Sequence, residues 1–383
     1  MKRRKNISTG FVVFHGELIG GDLCELVNGA RRANALDLLK RASESGYFSR
    51  VMLFTDSVEL INRAAGAADA IVLTNASGFH FGEMLFKAVR ESGSDRMCYF
   101  GSGAGSLLTD TEFREIASQV SNDEVVANNL YSTDFCSFPC VRADKKLKLP
   151  VSDNSMARFF IEKHGFKGRE LPRNASTIFD IDAPLDLTAL KLSGKCTGLL
   201  KKFIGNNAPE APHLVRAIRQ FTRNKSEVLV SGRISADTHM FLDRNTACRI
   251  RLLSEERGLL SSGDVSSARS IIGLWMKAEG PEKVLEILGG RIHAAFLDSR
   301  TLLAGEGIKT SAEERFAADL LRTDQVESEY LKSLIDAVEG SKYPVVLANH
   351  SLMNGGMMLL VEAAWKINNT ELFRDGGLRG KNN

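Results

Sequence analysis

In the second half of the sequence, short apolar segments are followed by residues that could transfer protons or bind anions. Asp298 follows the mostly apolar segment 292–297, and His350 comes two positions after the apolar residues 345–348. A carboxylate can orient an imidazole and raise its pKa, so Asp298 and His350 are candidates for a catalytic acid–base pair. A histidine at the end of a strand is also often structural, and this interpretation stays open.

The same predicted strand ends carry arginines, polar side chains and glycines that together suit a phosphate or carboxylate ligand. The candidate anion site consists of Ser231, Arg233, Arg257, Arg300, Asn349, Gly355 and Gly356. If the strands are parallel neighbours, their carboxyl ends meet at one edge of a sheet, and these residues converge there. The alternative is that they cap helices and connect loops.

The first half of the sequence has a glycine-containing turn after its first predicted strand, residues 11–15. Gly16, Gly20 and Gly21 would let backbone N–H groups approach a phosphate. Their spacing matches neither the dinucleotide-binding fingerprint nor the Walker loop, which needs Gly-Lys-Ser/Thr. A phosphate-binding loop and an ordinary turn are both consistent with these glycines.

A regular alternation of predicted strands and helices positions these residues. The first half has apolar segments at 11–15, 51–55, 70–74, 96–100 and 124–128, separated by helical patterns. The second half repeats the alternation, with strands predicted at 227–231, 248–253, 292–297 and 345–348. Helices between successive strands act as crossovers, so the sequence predicts an α/β fold whose sheets are mostly parallel and covered on both faces.

Length and composition predict two domains. The chain has 383 residues, whereas a typical domain has about 150. Residues 193–207 are rich in Lys, Gly and Asn, which indicates a junction. We therefore assign 1–193 to a first domain, 194–224 to a linker region, 225–366 to a second, smaller α/β domain and 367–383 to a flexible tail.

Composition and charge exclude several classes of protein. With 43% hydrophobic and 25% charged residues, the chain is unlike disordered or fibrous proteins. Its 50 basic and 47 acidic residues give a net charge of +3, which disfavours nucleic acid as a partner. The apolar runs are far shorter than the ~20 residues that span a bilayer, and no long apolar core follows the basic residues 1–5. We expect a cytoplasmic protein without a membrane partner, and the sequence leaves its oligomeric state open.

Several short motifs occur in residues 10–192 in a characteristic order. They are the glycine turn after the first strand, the helical residues 35–39, a strand that ends in Thr55-Asp56, the segment 106–109 (Ser-Leu-Leu-Thr), and the segment 177–187 (Thr-Ile-Phe-Asp-Ile-Asp-Ala-Pro-Leu-Asp-Leu). This order resembles the GT-A-like nucleotidyltransferases, in particular the molybdenum-cofactor and phospholactate guanylyltransferases, and the last segment is the most specific. The resemblance implies a GT-A or Rossmann-like, three-layer first domain with a mostly parallel sheet.

The resemblance also implies a divalent metal held by acidic side chains. Asp180 and Asp182 on the late segment are the candidate ligands of Mg²⁺, which prefers carboxylate oxygens. Two carboxylates at positions i and i+2 of an extended segment point the same way, which favours shared coordination. The alternative is that Asp182 or Asp186 caps the following helix.

By the same resemblance, the glycine turn would face the phosphates of a nucleotide, and Arg31 and Arg32 are the basic residues nearest to it. Relatives carry a metal-binding Asp before the Leu-Leu-Thr segment, whereas residues 101–109 here contain no carboxylate. Without that ligand, the charge of a phosphoryl-transfer transition state would be poorly neutralised.

The working hypothesis is a metal-dependent nucleotidyltransferase-like protein that acts on a nucleoside triphosphate and a small phosphorylated or sugar-like acceptor. One alternative is a catalytically degenerate protein that binds a nucleotide or a sugar phosphate. Another is a phosphohydrolase-type enzyme whose site lies in the second domain.

Overall fold

The computed structural model describes residues 7–74, 79–118, 123–141, 149–255 and 269–374. It divides into two compact units. The first consists of Met1–Leu18, Val27–Ile181 and Cys196–Phe203, and the second of Ile19–Leu26, Asp182–Lys195 and Ile204–Asn383. No helix within the described ranges is long and apolar enough to cross a membrane.

The first unit is built on a seven-stranded sheet in the order β3-β2-β1-β4-β6-β5-β7. Its strands are β1 (Thr9–His15), β2 (Arg50–Thr55), β3 (Ala70–Leu73), β4 (Arg96–Gly101), β5 (Glu124–Ala127), β6 (Phe135–Pro139) and β7 (Lys167–Glu170). The helices of this half are α1 (Asp22–Ser45), α2 (Val58–Ala64), α3 (Phe81–Ser92), α4 (Asp110–Ser118), α5 (Met156–His164) and α6 (Ala175–Ile178). Residues 22–26 of α1 are counted with the second unit.

Both faces of the first sheet are buried. Phe11 and Val13 of β1 pack in one hydrophobic cluster, whereas Val12 and Phe14 pack in another. Successive side chains of a strand point to opposite faces, so this continuously apolar strand supplies two cores at once. The predicted α/β class with a mostly parallel sheet is therefore confirmed.

The chain reverses its direction of travel across the first sheet at β1. It runs from β1 to β2 and β3 on one side, and then returns to β4 on the other side of β1, with β2 and β4 both parallel to β1. Such a topological switch point leaves a crevice at the carboxyl ends of the two central strands, where open α/β sheets bind ligands.

The second unit contains a four-stranded sheet in the order β11-β10-β8-β9, and every pair in it is parallel. Its strands are β8 (Glu227–Gly232), β9 (Arg249–Ser254), β10 (Ala294–Asp298) and β11 (Val345–Ala348). The helices are α7 (Pro184–Ser193), α8 (Gly198–Asn207), α9 (Pro212–Ile218), α10 (Ala236–Asn245), α11 (Ile271–Glu279), α12 (Pro281–Gly289), α13 (Ser299–Gly305), α14 (Ala312–Asp319), α15 (Glu329–Glu339) and α16 (Met357–Arg374). Residues 198–203 of α8 are counted with the first unit.

The second sheet has its own switch point, between β8 and β10. The chain passes from β8 to β9 on one side and then to β10 on the other. A side chain at Gly232, the last residue of β8, would collide with Asp298 at the end of β10, and Gly232 has a φ of 137°. Glycine therefore lets the ends of these two central strands approach each other.

The structure differs from the predicted elements where local signals are weak. The stretch predicted as a linker, 194–224, contains α8 and α9, and the last helix continues to Arg374 into the predicted tail, while 375–383 lie outside the described residues. β7 has the sequence Lys-Gly-Arg-Glu, without an apolar pattern, because it lies at the edge of its sheet. α1 begins at Asp22, well before the helical residues 35–39 that the sequence marked.

Candidate functional site

A buried polar pair lies at the switch point of the first sheet. The Nδ1 atom of His15, the last residue of β1, is 2.9 Å from the hydroxyl oxygen of Ser102, which directly follows β4. His15 is only 3% exposed, and Ser102 is also buried. Parallel pairing of β1 and β4 brings these two strand ends side by side, so the pair marks the crevice that the topology predicts.

Next to this pair, Glu17 forms an ion pair within the turn after β1. Its Oε1 lies 2.7 Å from Nη1 of Arg32 and 3.3 Å from Nε2 of His15. Burial opposes ionisation, but the contacts with His15, Ser57 and Arg32 outweigh it and lower the pKa of Glu17 to about 2. A carboxylate that is ionised at neutral pH therefore lies in the turn that the resemblance expects to face nucleotide phosphates.

The two arginines predicted to face nucleotide phosphates are both engaged with the protein. Arg31 donates from Nε to the carbonyl of Ile181 at 2.6 Å. Arg32 contacts Glu17 and also Glu59, whose Oε2 is 3.2 Å from its Nη2. Binding of a phosphate by Arg32 would have to compete with these two carboxylates.

Two asparagines on α1, which sequence reasoning missed, support the strand-end turns. Asn28 accepts from the backbone N–H of Leu18 and donates to its carbonyl, at 2.8 and 2.9 Å. Asn34 donates to the carbonyls of Ser102 and Ala104, at 2.8 and 2.9 Å. Asparagines on a helix that must bury most of its length were the available signal, because buried amides need partners.

The glycines of the predicted phosphate loop fall in different units. Gly16 belongs to the first unit, is exposed, and has open space around it. Gly20 and Gly21 belong to the second unit, where a side chain at either position would crowd the carboxylate of Glu313.

Glu313 occupies the backbone N–H groups at the start of α1. Its two oxygens accept from the backbone nitrogens of Gly21, Leu23 and Cys24, each at 2.9 Å. Burial opposes ionisation here too, but these bonds lower the pKa of Glu313 below its ordinary value. Of the glycine N–H groups predicted to approach a phosphate, that of Gly21 thus already binds a carboxylate of the same chain.

Asp180 lies against the glycine-rich turn that follows β4. It forms an isolated antiparallel bridge with Ala104, and a side chain at Gly103 would collide with Oδ1 of Asp180. Gly103 therefore makes room for this carboxylate at the end of β4. In this chain the turn has no carboxylate of its own, and Asp180 brings one to it from the late segment.

Asp182 is counted with the second unit, where its neighbour Asp186 is a helix cap. Oδ2 of Asp186 accepts from the backbone nitrogens of Asp182 and Ala183 and from the amide of Asn349, each at 2.8 Å. Burial and the charge of Asp182 raise the pKa of Asp186 to about 7. Asp186 is thus the residue that caps α7, as the alternative interpretation of this segment required.

The described residues provide few ligands for the predicted magnesium ion. Within the described part of the chain, no three His, Cys, Asp or Glu side chains are grouped so as to hold a metal ion. Mg²⁺ bound to a nucleotide needs only one or two carboxylates, since phosphates and waters fill its other positions. The chemistry of Asp180 fits such a partial site, and magnesium stays a prediction.

At the switch point of the second sheet, Asp298 is paired with Arg233. Its carboxylate accepts from Nε and Nη2 of Arg233, at 2.6 and 3.0 Å, and from the backbone nitrogen of Arg233 at 3.2 Å. Asp298 also accepts from the backbone nitrogen of Arg300 and so caps α13. Burial opposes ionisation, but the Arg233 charge and its hydrogen bonds hold the pKa of Asp298 below its ordinary value.

The predicted acid–base pair of Asp298 and His350 is not formed as a hydrogen bond among the described contacts. The carboxylate is bound to Arg233. Nδ1 of the His350 ring instead lies 3.2 Å from the side-chain nitrogen of Asn354. Desolvation of the ring and the charge of Arg233 lower the pKa of His350 to about 4, although the residue as a whole reaches solvent. His350 is therefore neutral at physiological pH, first because its ring is desolvated and second because the Arg233 charge opposes its protonation.

The other members of the predicted anion site have varied surroundings. Asn349 is buried, and it connects Asp186 to the N–H of Leu352, at 2.8 and 2.7 Å. Ser231 is buried within β8. Gly355 and Gly356 lie in the buried π-helical turn Leu352–Gly356, just before α16. Arg257 lies outside the described residues.

This chain has low sequence identity to the solved structures that it resembles. No protein-family model and no curated protein matches the sequence. Among solved structures, it is similar to the bifunctional IspDF of Campylobacter jejuni, with 12% identity and a TM-score of 0.35 over 47% of this chain and 53% of that one. The match thus spans about half of that bifunctional protein.

Two further similar structures are transferases. A nucleotidyl transferase from Methanothermobacter thermautotrophicus matches with 11% identity and a TM-score of 0.37, over 49% of this chain and 96% of that one. A cytidylyltransferase from Leptospira borgpetersenii matches with 14% identity and a TM-score of 0.34, over 53% of this chain and 95% of that one. The guanylyltransferases that the late segment resembles are not among these three.

Proposed function

We propose that this protein is nucleotidyltransferase-like and binds a nucleoside triphosphate at the carboxyl ends of β1 and β4. The observation that carries this proposal is the position of Asp180, whose carboxylate lies against the glycine-rich turn at the switch point of the first sheet. In this interpretation Asp180 takes the place of the acidic residue that the turn lacks. Magnesium would enter with the nucleotide, bound by Asp180 and the phosphates.

The acceptor of a transferred nucleotidyl group would be a small phosphorylated or sugar-like molecule. The polar strand ends around His15 and Ser102 offer hydrogen-bonding groups that such a molecule or the nucleotide could use. Transfer to a phosphate or hydroxyl oxygen of the acceptor releases pyrophosphate. A pyrophosphate-release screen with the four common nucleoside triphosphates and pooled sugar phosphates therefore tests the reaction directly.

A second candidate function is binding without transfer, and the Glu17–Arg32 ion pair favours it. Transfer needs cations to neutralise the developing phosphoryl charge. Here Arg32 is neutralised by Glu17 and Glu59. A protein that only binds would show thermal shifts with one nucleotide and magnesium but no pyrophosphate, whereas a transferase would show both.

A further inference from the structure

The Asn354 amide at the switch point of the second sheet has a fixed orientation. Its oxygen accepts from the backbone nitrogen of Ser235 at 2.8 Å and from the hydroxyl of Thr238 at 3.3 Å. Its nitrogen donates to the carbonyls of Arg233 and His350, each at 2.9 Å. Exchanging the amide oxygen and nitrogen would place like groups against each other at several of these contacts, so the assignment is determined by the network.

This orientation determines where the His350 ring carries its proton. Both hydrogens of the Asn354 nitrogen go to carbonyls, and an amide nitrogen is not an acceptor, so its position 3.2 Å from Nδ1 disfavours a hydrogen on Nδ1. A neutral imidazole with an unprotonated Nδ1 carries its hydrogen on Nε2. His350 as a residue reaches solvent at the end of β11, and an anion bound there would accept from this Nε2–H.

Arg300 supplies a cation at the neighbouring strand end. It is partly buried, and no hydrogen bond or ion pair within the described residues engages its guanidinium group. Asp298 accepts only from the backbone nitrogen of Arg300, because its carboxylate is already bound to the side chain of Arg233. The register of β10 with β11 pairs Asp298 with Ala348, which brings Arg300 and His350 to adjacent strand ends.

We infer that the second unit binds a phosphate-type anion between the guanidinium group of Arg300 and the Nε2–H of His350. An unpaired arginine presents several N–H donors that match a tetrahedral oxyanion, and a neutral imidazole adds a donor without needing a proton. Asn354 acts as the positioning residue, because it keeps Nδ1 unprotonated. This site is independent of the nucleotide proposed for the first unit.

Calorimetry of the full chain with inorganic phosphate tests this inference. Arg300→Gln removes the charge, and we expect it to weaken phosphate binding about tenfold or more. Arg249→Gln is the matched control, since it removes one charge from the amino end of β9 in the same sheet. The phosphate affinity of this variant should stay within about twofold of the wild-type value. Equal phosphate affinity in the wild type and Arg300→Gln, or no binding by the wild type, overturns the inference.

His350 variants separate a donor from a charge. His350→Gln keeps an N–H donor of similar reach and should retain most of the binding, whereas His350→Leu should lose about as much as Arg300→Gln. An acetate titration shows whether the site prefers a tetrahedral anion to a carboxylate. Stronger binding of acetate than of phosphate contradicts the proposed ligand class.

A measurement on the unmodified protein covers the case in which variants fold poorly. Side-chain ¹⁵N chemical shifts distinguish a protonated from an unprotonated ring nitrogen. Those of His350 should show Nε2 protonated and Nδ1 unprotonated, and phosphate should shift the Nε2 signal. A protonated Nδ1, or no response of Nε2 to phosphate, rejects the site whatever the variants do.

Discussion

The carboxylate of Asp298 is bound by two side-chain nitrogens of Arg233, and this pair joins the ends of the two central strands of the second sheet. Asp298 has no exposed side-chain surface, and the side chain of Arg233 is 12% exposed. A buried ion pair contributes little net stability, but removal of one partner leaves the other charge buried and unpaired. Loss of either partner should therefore destabilise the fold by more than the intact ion pair stabilises it.

We accordingly expect Asp298→Asn to lower the free energy of unfolding by about 3 kcal/mol or more, measured by urea denaturation. Asp336→Asn, an exposed aspartate on α15, is the matched control and should cost less than about 0.5 kcal/mol. Equal stability of the two variants would show that Arg233 finds another partner or reaches water.

Gly232 is required by the contact between these strand ends. In Gly232→Ala, the new methyl group would collide with Asp298 and would also force alanine to a φ of 137°. The matched control is Gly280→Ala, which has a φ of 84° but open space around the added carbon. Backbone strain alone costs about 1–3 kcal/mol, so Gly232→Ala should be the more destabilising variant in thermal or urea unfolding. Equal losses of stability in the two variants would mean that the atoms around position 232 move aside at no cost in free energy.

The buried carboxyl of Asp186 makes stability depend on pH. Because its pKa is raised to about 7 in the fold from 3.8, the folded state keeps a proton that the unfolded chain has lost between about pH 4 and pH 7. Stability from this group is thus greatest below about pH 4, falls as the pH rises to about 7, and is then constant. Asp319, whose pKa burial also raises to about 7, adds a second contribution of the same sign.

Asp186→Asn should reduce the difference between the free energies of unfolding at pH 5 and pH 8 by up to about 3 kcal/mol, because about two pH units of the shifted range lie in this interval. Urea denaturation at both pH values measures this difference, and it is insensitive to any constant cost of the substitution. The contribution of Asp319 remains in the variant. Asp243→Asn, an exposed aspartate on α10, should leave the difference unchanged. A wild-type slope that persists in Asp186→Asn contradicts the assignment.

Glu17 has the opposite dependence on pH. Its pKa is lowered to about 2 in the fold from 4.5, so its stabilising contribution is present above about pH 4.5 and is lost as the pH falls towards 2. Glu17→Gln should remove up to about 3 kcal/mol of stability at pH 7 and flatten the acid limb of the stability curve. The exposed Glu44→Gln on α1 is the control. An unchanged acid limb in Glu17→Gln would falsify the ion pair with Arg32.

The sequence predicted most of the architecture because its signals are local. Mostly apolar segments marked nine strands of the two sheets, and Arg233 and Asp298, at the ends of two neighbouring strands, are in contact. The antiparallel strand β6 and the edge strand β7 were missed. In β7 the sequence Lys-Gly-Arg-Glu carries no apolar period, since an edge strand buries little surface.

The partners of the site residues could not be predicted in the same way. Glu313 binds the start of α1 from 292 positions away, and Asn354 accepts from the backbone of Ser235, 119 positions earlier. Neither contact has a local pattern, since each depends on how distant segments pack. For the same reason the sequence did not reveal that Arg233, rather than His350, takes the carboxylate of Asp298.

The central claim is that Asp180 contributes to a magnesium–nucleotide site in the first unit, and calorimetry tests it most directly. Each common nucleoside triphosphate would be titrated, with and without magnesium, into the wild type, Asp180→Asn and the control Asp110→Asn, whose side chain is 93% exposed. We predict that one triphosphate binds the wild type and Asp110→Asn with magnesium, and that Asp180→Asn loses about tenfold or more of this affinity. Equal magnesium-dependent affinity in Asp180→Asn and the wild type, or no binding of any triphosphate, would contradict it.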